Sequence, residues 1–171
     1  EEARRNVRDY VESLPDFICQ QEITRYVDLD GSGAWERRDL LTYEIAYNGK
    51  RESYKPLRVN GMMTGVPLER AGGATSTGDF ASRLALLFDP ETRATFKAAG
   101  RERLGTRQTL VYDFRVPRAT SKNTLQFEPL PAVIFGYSGS VWIDAETKQV
   151  LRIELAADDL PPSYAGISAE N

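Results

Sequence analysis

Hydrophobic and polar residues alternate near the end of the chain, and this pattern gives the clearest structural prediction. Aliphatic residues stand at every second position on both sides of the polar stretch Ala145–Gln149: Val141 and Ile143 before it, and Leu151, Ile153 and Leu155 after it. Period-two alternation is typical of a β-strand with one buried face, and a short polar connection joins antiparallel strands. The sequence therefore predicts a β-hairpin over residues 136–155.

The same alternation predicts further strands along most of the chain. They are expected at Gln21–Asp28, Arg38–Tyr47, Arg51–Val59, Thr109–Val116 and Thr124–Glu128. Asn48-Gly49 favours a tight turn between the second and third of these, because Asn-Gly tolerates positive φ. Successive strands joined by short turns indicate an antiparallel meander rather than βαβ units.

Apolar residues at helical spacing predict an N-terminal helix and a pair of helical segments in the middle of the chain. The first helix is expected over Glu2–Leu14, because Pro15 cannot continue it. Helical spacing over residues 80–88 predicts the second helix. Asp89 followed by Pro predicts the start of a third helical segment, which is expected to run to Gly100 as its C-cap.

Together these elements predict an α+β fold: a single curved antiparallel sheet, with the N-terminal helix and the mid-chain helical insertion packed on its concave face. A length of 171 residues suits one domain with a sizeable core. We expect that domain to span residues 1–160. Pro161-Pro162 opens a segment, 161–171, that is expected to be a tail or linker.

Composition excludes several classes of partner. The chain is 41% hydrophobic and 27% charged, which is ordinary for a soluble globular protein. Its net charge is −3 and its basic residues are dispersed, so we expect no nucleic-acid partner. No apolar run approaches the roughly 18 residues that a membrane span needs. Because the chain begins at Glu1 without a signal-type start, we expect it to be a mature or trimmed segment.

The chain has no histidine, and this restricts its chemistry more than any other feature. Ser-His-Asp and Cys-His nucleophile pairs, imidazole acid–base chemistry and the usual zinc sites are all removed. We therefore expect no enzymatic activity and no cofactor, although an enzyme that uses carboxylates or tyrosines alone stays open. Cys19 follows the apolar residues Phe17 and Ile18 and is expected to be an inert buried thiol; a disulfide partner outside this segment is the alternative.

The stretch from Asp28 to Gly33 allows two interpretations. Asp28, Asp30 and Ser32 alternate as oxygen ligands do in a calcium loop, and Asp39 stands at the twelfth position. However, alternating strands rather than helices flank the stretch, and Asp and Gly are also ordinary turn residues. The turn is the preferred interpretation, and no metal site is assigned.

Aromatic side chains are frequent in the predicted strands. Most are expected to form core, but a sheet too curved to be filled would leave an apolar hollow for a lipid or acyl chain. Met62 and Met63 stand in the long irregular stretch Asn60–Gly78, where adaptable methionines could gate such a hollow. The candidate ligand-binding residues are Tyr43, Tyr47, Met62, Met63, Phe114 and Trp142.

Three short phrases resemble uncharacterised bacterial envelope proteins that share this layout: Leu14–Cys19 (LPDFIC), Tyr54–Gly61 (YKPLRVNG) and Gly78-Asp79-Phe80. The order of the elements, with the closing VWID-turn-VLRIEL hairpin, resembles the bacterial LolA-like superfamily. This group comprises periplasmic lipoprotein carriers, their outer-membrane receptors and envelope-stress regulators of the RseB type. The resemblance implies a half-barrel closed by helices, an apolar concave face and a location in the periplasm or cell envelope.

The function expected from this resemblance is non-enzymatic binding of an apolar ligand, a lipid or a lipoprotein acyl chain, in the hollow of the half-barrel. The alternative is a protein-interaction or sensory module of a larger envelope protein, with a filled core and another envelope protein as its partner. An exposed sheet edge or apolar patch would favour that alternative.

Overall fold

Two helices and a set of antiparallel strands make up the computed structural model, which describes residues 1–28, 32–67, 70, 72, 74–75, 81–127 and 130–164. The helices are α1 (Glu2–Ser13) and α2 (Ala81–Phe88). The strands are β1 (Phe17–Val27), β2 (Glu36–Asn48), β3 (Arg51–Val59), β4 (Met62–Met63), β5 (Ala74–Thr75), β6 (Thr95–Leu104), β7 (Arg107–Val116), β8 (Thr124–Phe127), β9 (Val133–Ile134), β10 (Gly136–Asp144) and β11 (Val150–Asp158). The predicted α+β class is confirmed.

Within these residues the strands form three hydrogen-bonded groups rather than the single sheet that the sequence predicted. The first sheet has the order β1-β2-β3-β4, the second β11-β10-β7-β6, and a small third sheet β5-β8-β9. Every pairing is antiparallel. The prediction of one sheet is wrong for the described residues, because alternation shows which residues form strands but not which strands pair across an intervening helix.

The hairpin β10–β11 forms as the alternation predicted. Val141 lies opposite Ile153 and Trp142 opposite Arg152. At the turn, the Asp144 carboxylate accepts hydrogen bonds from the backbone N–H groups of Thr147 at 2.8 Å and Glu146 at 2.9 Å. These bonds, with the nearby Arg107 guanidinium, hold the pKa of Asp144 below its ordinary value.

The tight turn predicted at Asn48-Gly49 is also confirmed. β2 ends at Asn48 and β3 begins at Arg51, so Gly49 and Lys50 alone join them. Their φ angles are 54° and 64°. Positive φ at both residues is the geometry that a two-residue hairpin turn requires.

The third helical segment predicted from Asp89 to Gly100 is wrong. Asp89 does act as an N-cap and accepts a hydrogen bond from the Glu91 N–H at 2.9 Å, but only one 3₁₀ turn follows. Arg93 then takes a left-handed φ of 51°, and residues 95–104 form β6. Apolar residues at 94, 96 and 98 follow the period of a strand, and Phe96 lies opposite Phe114 of β7. Pairing with β7 therefore outweighs the local helical signal.

One face of the second sheet carries the larger apolar cluster, which we call the helix-covered core. α1 contributes Val7, and α2 contributes Leu87 and Phe88. The other buried members are Phe114, Val116, Leu125, Phe135, Tyr137, Val141, Ile143, Leu155 and Tyr164. Because both helices pack there, this side of the sheet is filled by its own chain.

Tyr164 extends the packed unit past residue 160. Its side chain is fully buried in the helix-covered core, and its hydroxyl donates to the carbonyl of Pro131. The segment that the sequence predicts as a tail therefore contains a residue that packs in the fold. Residues 165–171 of that segment lie outside the described residues.

Candidate functional site

The buried face of the first sheet is the candidate site, and we call it the inner face. Successive side chains of a strand point to opposite sides of the sheet, so every second residue of β2 faces the same way. These residues are Asp39, Leu41, Tyr43, Ile45 and Tyr47, and none is more than 8% exposed. The inner face is therefore covered.

The apolar part of the inner face is a small cluster of its own. Its buried members are Leu41, Tyr43 and Ile45, and partly buried residues of the same sheet surround them: Cys19, Ile23, Tyr54 and Val59. All seven come from β1, β2 and β3. Within the described residues, neither helix contributes an apolar side chain to this cluster. The inner face thus differs from the helix-covered core in what lies against it.

A buried ion pair closes one end of the inner face. Arg25 of β1 lies opposite Asp39 of β2, and its Nε and Nη2 atoms lie 2.7 and 2.5 Å from the two carboxylate oxygens. Both side chains are about nine-tenths buried. The Arg25 Nη1 atom also donates to the carbonyl of Gly72. This pair therefore joins the sheet to the segment that leads from β4 towards α2.

A bulge brings a second arginine to this ion pair. On β1 the neighbours Arg25 and Tyr26 lie opposite Asp39 and Arg37 of β2. Arg38, between these two, is the extra residue of a β-bulge. A bulge re-aims side chains locally. The Arg38 Nε atom lies 3.7 Å from the Asp39 Oδ2 atom, and the Arg38 side chain is 42% exposed. Two guanidinium groups consequently share one carboxylate.

A second polar group lies at the opposite end of the inner face. Glu52 of β3 lies opposite Tyr47, and its Oε1 atom accepts hydrogen bonds from the Ser82 N–H at 3.1 Å and the Ser82 hydroxyl at 2.8 Å. The Tyr54 hydroxyl donates to its other carboxylate oxygen. A carboxylate at the first turn of a helix also interacts favourably with the helix dipole. Glu52 thus fixes the start of α2 to the first sheet.

Three of the six candidate ligand-binding residues lie on the inner face or at its edge. Tyr43 belongs to its apolar cluster, and Tyr47 stacks on Phe17 with ring centroids 5.2 Å apart. Met62 lies directly opposite Val59, which packs against the same cluster, so the two side chains share a face. Met62 is nevertheless 71% exposed. It lies at the open edge of the inner face.

The other three candidates lie elsewhere. Met63 follows Met62 and so points to the opposite side of the sheet, and it is 77% exposed. Phe114 packs in the helix-covered core. Trp142 lies on the other face of the second sheet, where its Nε1–H donates to Glu102 at 2.6 Å and the Arg152 guanidinium covers its ring at 4.9 Å. The structure does not bring the six residues to one place.

Sequence reasoning missed the Arg25–Asp39 pair, although a signal for it was present. Arg25 stands in the same alternation phase as Ile23, and Asp39 in the same phase as Leu41. A charged residue in the buried phase of each of two neighbouring strands indicates an ion pair, since such charges are seldom buried unpaired. The strand register, which the sequence leaves open, decides whether the two meet.

The described part of the Asp28–Gly33 stretch has the hydrogen bonds of a turn. The Asp28 carboxylate accepts the backbone N–H groups of Ser32 at 3.2 Å and Gly33 at 2.8 Å. Asp30, the second candidate calcium ligand, lies outside the described residues. Across the part of the chain that is described, no group of three or more metal-ligating side chains comes together.

Comparison with known proteins adds no relative. No family model matches the sequence, and neither a curated protein nor a solved structure is significantly similar to it. Among the described residues, no helix combines the length and the apolar character that crossing a bilayer requires.

Proposed function

We propose that this chain is a non-enzymatic domain of the cell envelope that holds an apolar ligand, a lipid or a lipoprotein acyl chain, against the inner face of the first sheet. The observation that carries the proposal is the separation of the two apolar clusters. Both helices fill the face of the second sheet, whereas the apolar residues of the inner face pack, within the described residues, against others of their own sheet.

The inner face has the size and composition for a hydrocarbon chain. From Leu41 to Tyr47 the strand advances six residues, or about 20 Å at the usual rise of a β-strand. Each methylene group that leaves water for an apolar surface contributes about 0.8 kcal/mol. The side chains of this face are at most 8% exposed, so an acyl chain would take the place of what covers them, and burial of its own methylene groups would drive binding.

The half-barrel and the envelope location belong to the same proposal. The order of the elements and the closing hairpin, which resemble the LolA-like superfamily, support both. In a half-barrel, the inner face of the first sheet would form part of the concave surface, and Met62 would stand at its mouth. Methionine adapts its shape easily, which suits an entrance for chains of variable length.

The two methionines provide a test with a built-in control. They are adjacent, similarly exposed and on opposite faces of the sheet, so only Met62 borders the inner face. We expect Met62→Asp to weaken binding of the fluorescent apolar probe N-phenyl-1-naphthylamine about tenfold, through a charge at the entrance. Met63→Asp should leave probe affinity within about twofold of the parent.

Both variants should keep the melting temperature of the parent, because both side chains are mostly exposed. Equal probe affinity in the two variants would contradict the assignment of the entrance to Met62. No probe binding by the parent protein would contradict the proposed function itself.

The edge of the first sheet favours a second candidate function, protein interaction by strand addition. β1 is 11 residues long and, within the described residues, pairs only with β2. Ile18 on this strand is 72% exposed and Tyr26 is 56% exposed. A long edge strand can add the strand of a partner protein. Substituting Pro for Gln20 or Glu22 should abolish such binding, whereas the affinity for the apolar probe should stay unchanged.

A further inference from the structure

Among the described residues, the charged group at the Asp39 end of the inner face holds one more positive than negative charge. Arg25 and Arg38 contribute two positive charges, and Asp39 contributes one negative charge. Arg25 takes both carboxylate oxygens of Asp39 at 2.7 and 2.5 Å, whereas the nearest approach of Arg38 to that carboxylate is 3.7 Å. The charge of Arg38 is therefore the surplus, and its side chain is the more exposed of the two.

Arg38 lies near the end of the apolar cluster of the inner face. The Arg38 Nη2 atom lies 3.5 Å from the place where a Cβ atom on Gly72 would stand, and Gly72 accepts the hydrogen bond of Arg25. Arg38 thus lies on the inner side, although its neighbour Arg37 pairs with Tyr26 on the outer side. The apolar cluster begins two residues further along β2, at Leu41. The solvent-accessible guanidinium of Arg38 therefore lies at one end of the buried apolar cluster.

We propose that the ligand of the inner face is an amphiphile with an anionic head group, a carboxylate or a phosphate, and that Arg38 binds this head. The proposal rests on the proposed function and names its ligand class. A guanidinium presents a planar fork of N–H donors that matches the oxygens of a carboxylate or phosphate. The Arg25–Asp39 pair occupies its own donors and acceptors, so it supports the site and Arg38 makes the contact.

In this arrangement, apolar burial and the charge of Arg38 have different roles in binding. Burial of the hydrocarbon chain along Leu41, Tyr43 and Ile45 supplies most of the affinity, because it grows with each methylene group. The charge at Arg38 orients the ligand and selects an anion over a neutral head. Neutral amphiphiles should bind in the same place, but more weakly.

Competition against the fluorescent apolar probe tests the selection directly. Three amphiphiles with the same chain serve as competitors: laurate, dodecyl phosphate and dodecanol. For the parent protein, at least one of the two anions should displace the probe about tenfold more effectively than dodecanol does. The anion with the larger advantage identifies the head group.

The variant Arg38→Gln should remove this advantage and leave the affinity for dodecanol unchanged. Arg37→Gln is the matched control, because it removes the same charge from the next residue and on the other face of the sheet. It should keep the preference of the parent for anions. Since Arg38 is 42% exposed, both variants should fold, and their melting curves verify this.

Each failure has a distinct meaning. Equal displacement by anions and alcohol in the parent overturns the head-group site and leaves the apolar site standing. An equal loss of preference in both arginine variants also overturns it, because the effect would then be general electrostatics. Displacement of the probe by inorganic phosphate as effectively as by dodecyl phosphate would show a free-anion site and overturn the amphiphile. No displacement by any of the three overturns the proposed function as well.

Discussion

The two four-stranded sheets of this protein share a pattern but differ in what covers them. Each is an antiparallel sheet with one strongly apolar face. On the second sheet, α1, α2 and Tyr164 fill that face. On the first sheet, the described residues of the apolar cluster all come from β1, β2 and β3, and polar groups lie at its two ends. The same alternation of apolar and polar residues thus occurs in a sheet that the helices fill and in a sheet whose inner face we propose as a ligand site.

The polar ends of the inner face sharpen this contrast. A buried ion pair such as Arg25–Asp39 contributes little net stability compared with apolar residues of the same volume, but it fixes a specific arrangement. Glu52 does the same for the start of α2. The helix-covered core is built from apolar and aromatic side chains. The first sheet therefore has polar contacts where the helix-covered core has apolar packing, and these contacts position the segments around its inner face.

The largest effect is expected from one added methyl group in the second sheet. A Cβ on Gly139 would lie 1.9 Å from the carbonyl oxygen of Glu154 and 2.8 Å from the Cα of Leu155, and both are backbone atoms. We expect Gly139→Ala to lower the free energy of unfolding by about 4 kcal/mol, measured by urea denaturation. Gly65→Ala, where nothing lies within 4 Å, is the control and should cost less than about 0.5 kcal/mol. Equal costs would show that the second sheet is not tightly packed at this pairing.

A somewhat smaller loss is expected from breaking the ion pair of the first sheet. Asp39→Asn leaves the Arg25 guanidinium buried without its counter-charge and should cost about 3 kcal/mol. The double variant Arg25→Met/Asp39→Leu should recover most of that loss, because two apolar residues need no partner. If the double variant were as unstable as the two single changes combined, the pair would contribute packing rather than charge balance.

A matched pair of leucines compares the two clusters directly. Leu41 in the inner face and Leu125 in the helix-covered core are both on strands and both 2% exposed. Leu125→Ala should cost about 3 kcal/mol, and Leu41→Ala about 1 to 2 kcal/mol less, because a face that accepts a ligand is less rigidly filled. Only Leu41→Ala should also change the affinity for the apolar probe. Equal stability losses with unchanged probe binding in both variants would remove the distinction between the clusters.

The smallest effect concerns the β10–β11 turn in acid. Since the folded-state pKa of Asp144 lies below its ordinary value, its stabilising contribution is complete above about pH 4 and is lost as the pH falls through the folded-state pKa. Urea midpoints, followed by the fluorescence of Trp142 in a Trp35→Phe background, should therefore fall more steeply below about pH 4 for the parent than for Asp144→Asn. Parallel curves would show that the turn does not contribute to acid sensitivity.

Local patterns predicted the elements of this fold well where a strand period was sustained. The β10–β11 hairpin, the Gly49-Lys50 turn, the first helix and α2 all form where the sequence indicates them. The prediction of a helix from Asp89 to Gly100 failed, because the N-cap signal at Asp89 favours a helix whereas the apolar residues at 94, 96 and 98 follow the period of a strand. Only pairing with β7, a contact distant from the capping signal, decides between them.

The candidate site was predicted less completely, for a related reason. Tyr43 and Tyr47 were found because they share one phase of a strongly alternating strand, whereas Phe114 and Trp142 show how aromatic content alone misleads. Trp142 stands in the other phase of its own strand from Val141 and Ile143, and it faces Arg152 and Glu102. The Arg25–Asp39–Arg38 group depends on strand register and on a bulge, and a single sequence does not specify either.

Native mass spectrometry of the gently purified protein, before and after incubation with laurate, shows whether this chain binds an amphiphile. We expect a complex with one laurate that dissociates on denaturation, is weakened by Met62→Asp and is unaffected by Met63→Asp. A mass that stays that of the free chain after incubation with laurate, dodecyl phosphate and dodecanol would contradict this expectation. The exposed edge of β1 would then be the first place to look for a partner.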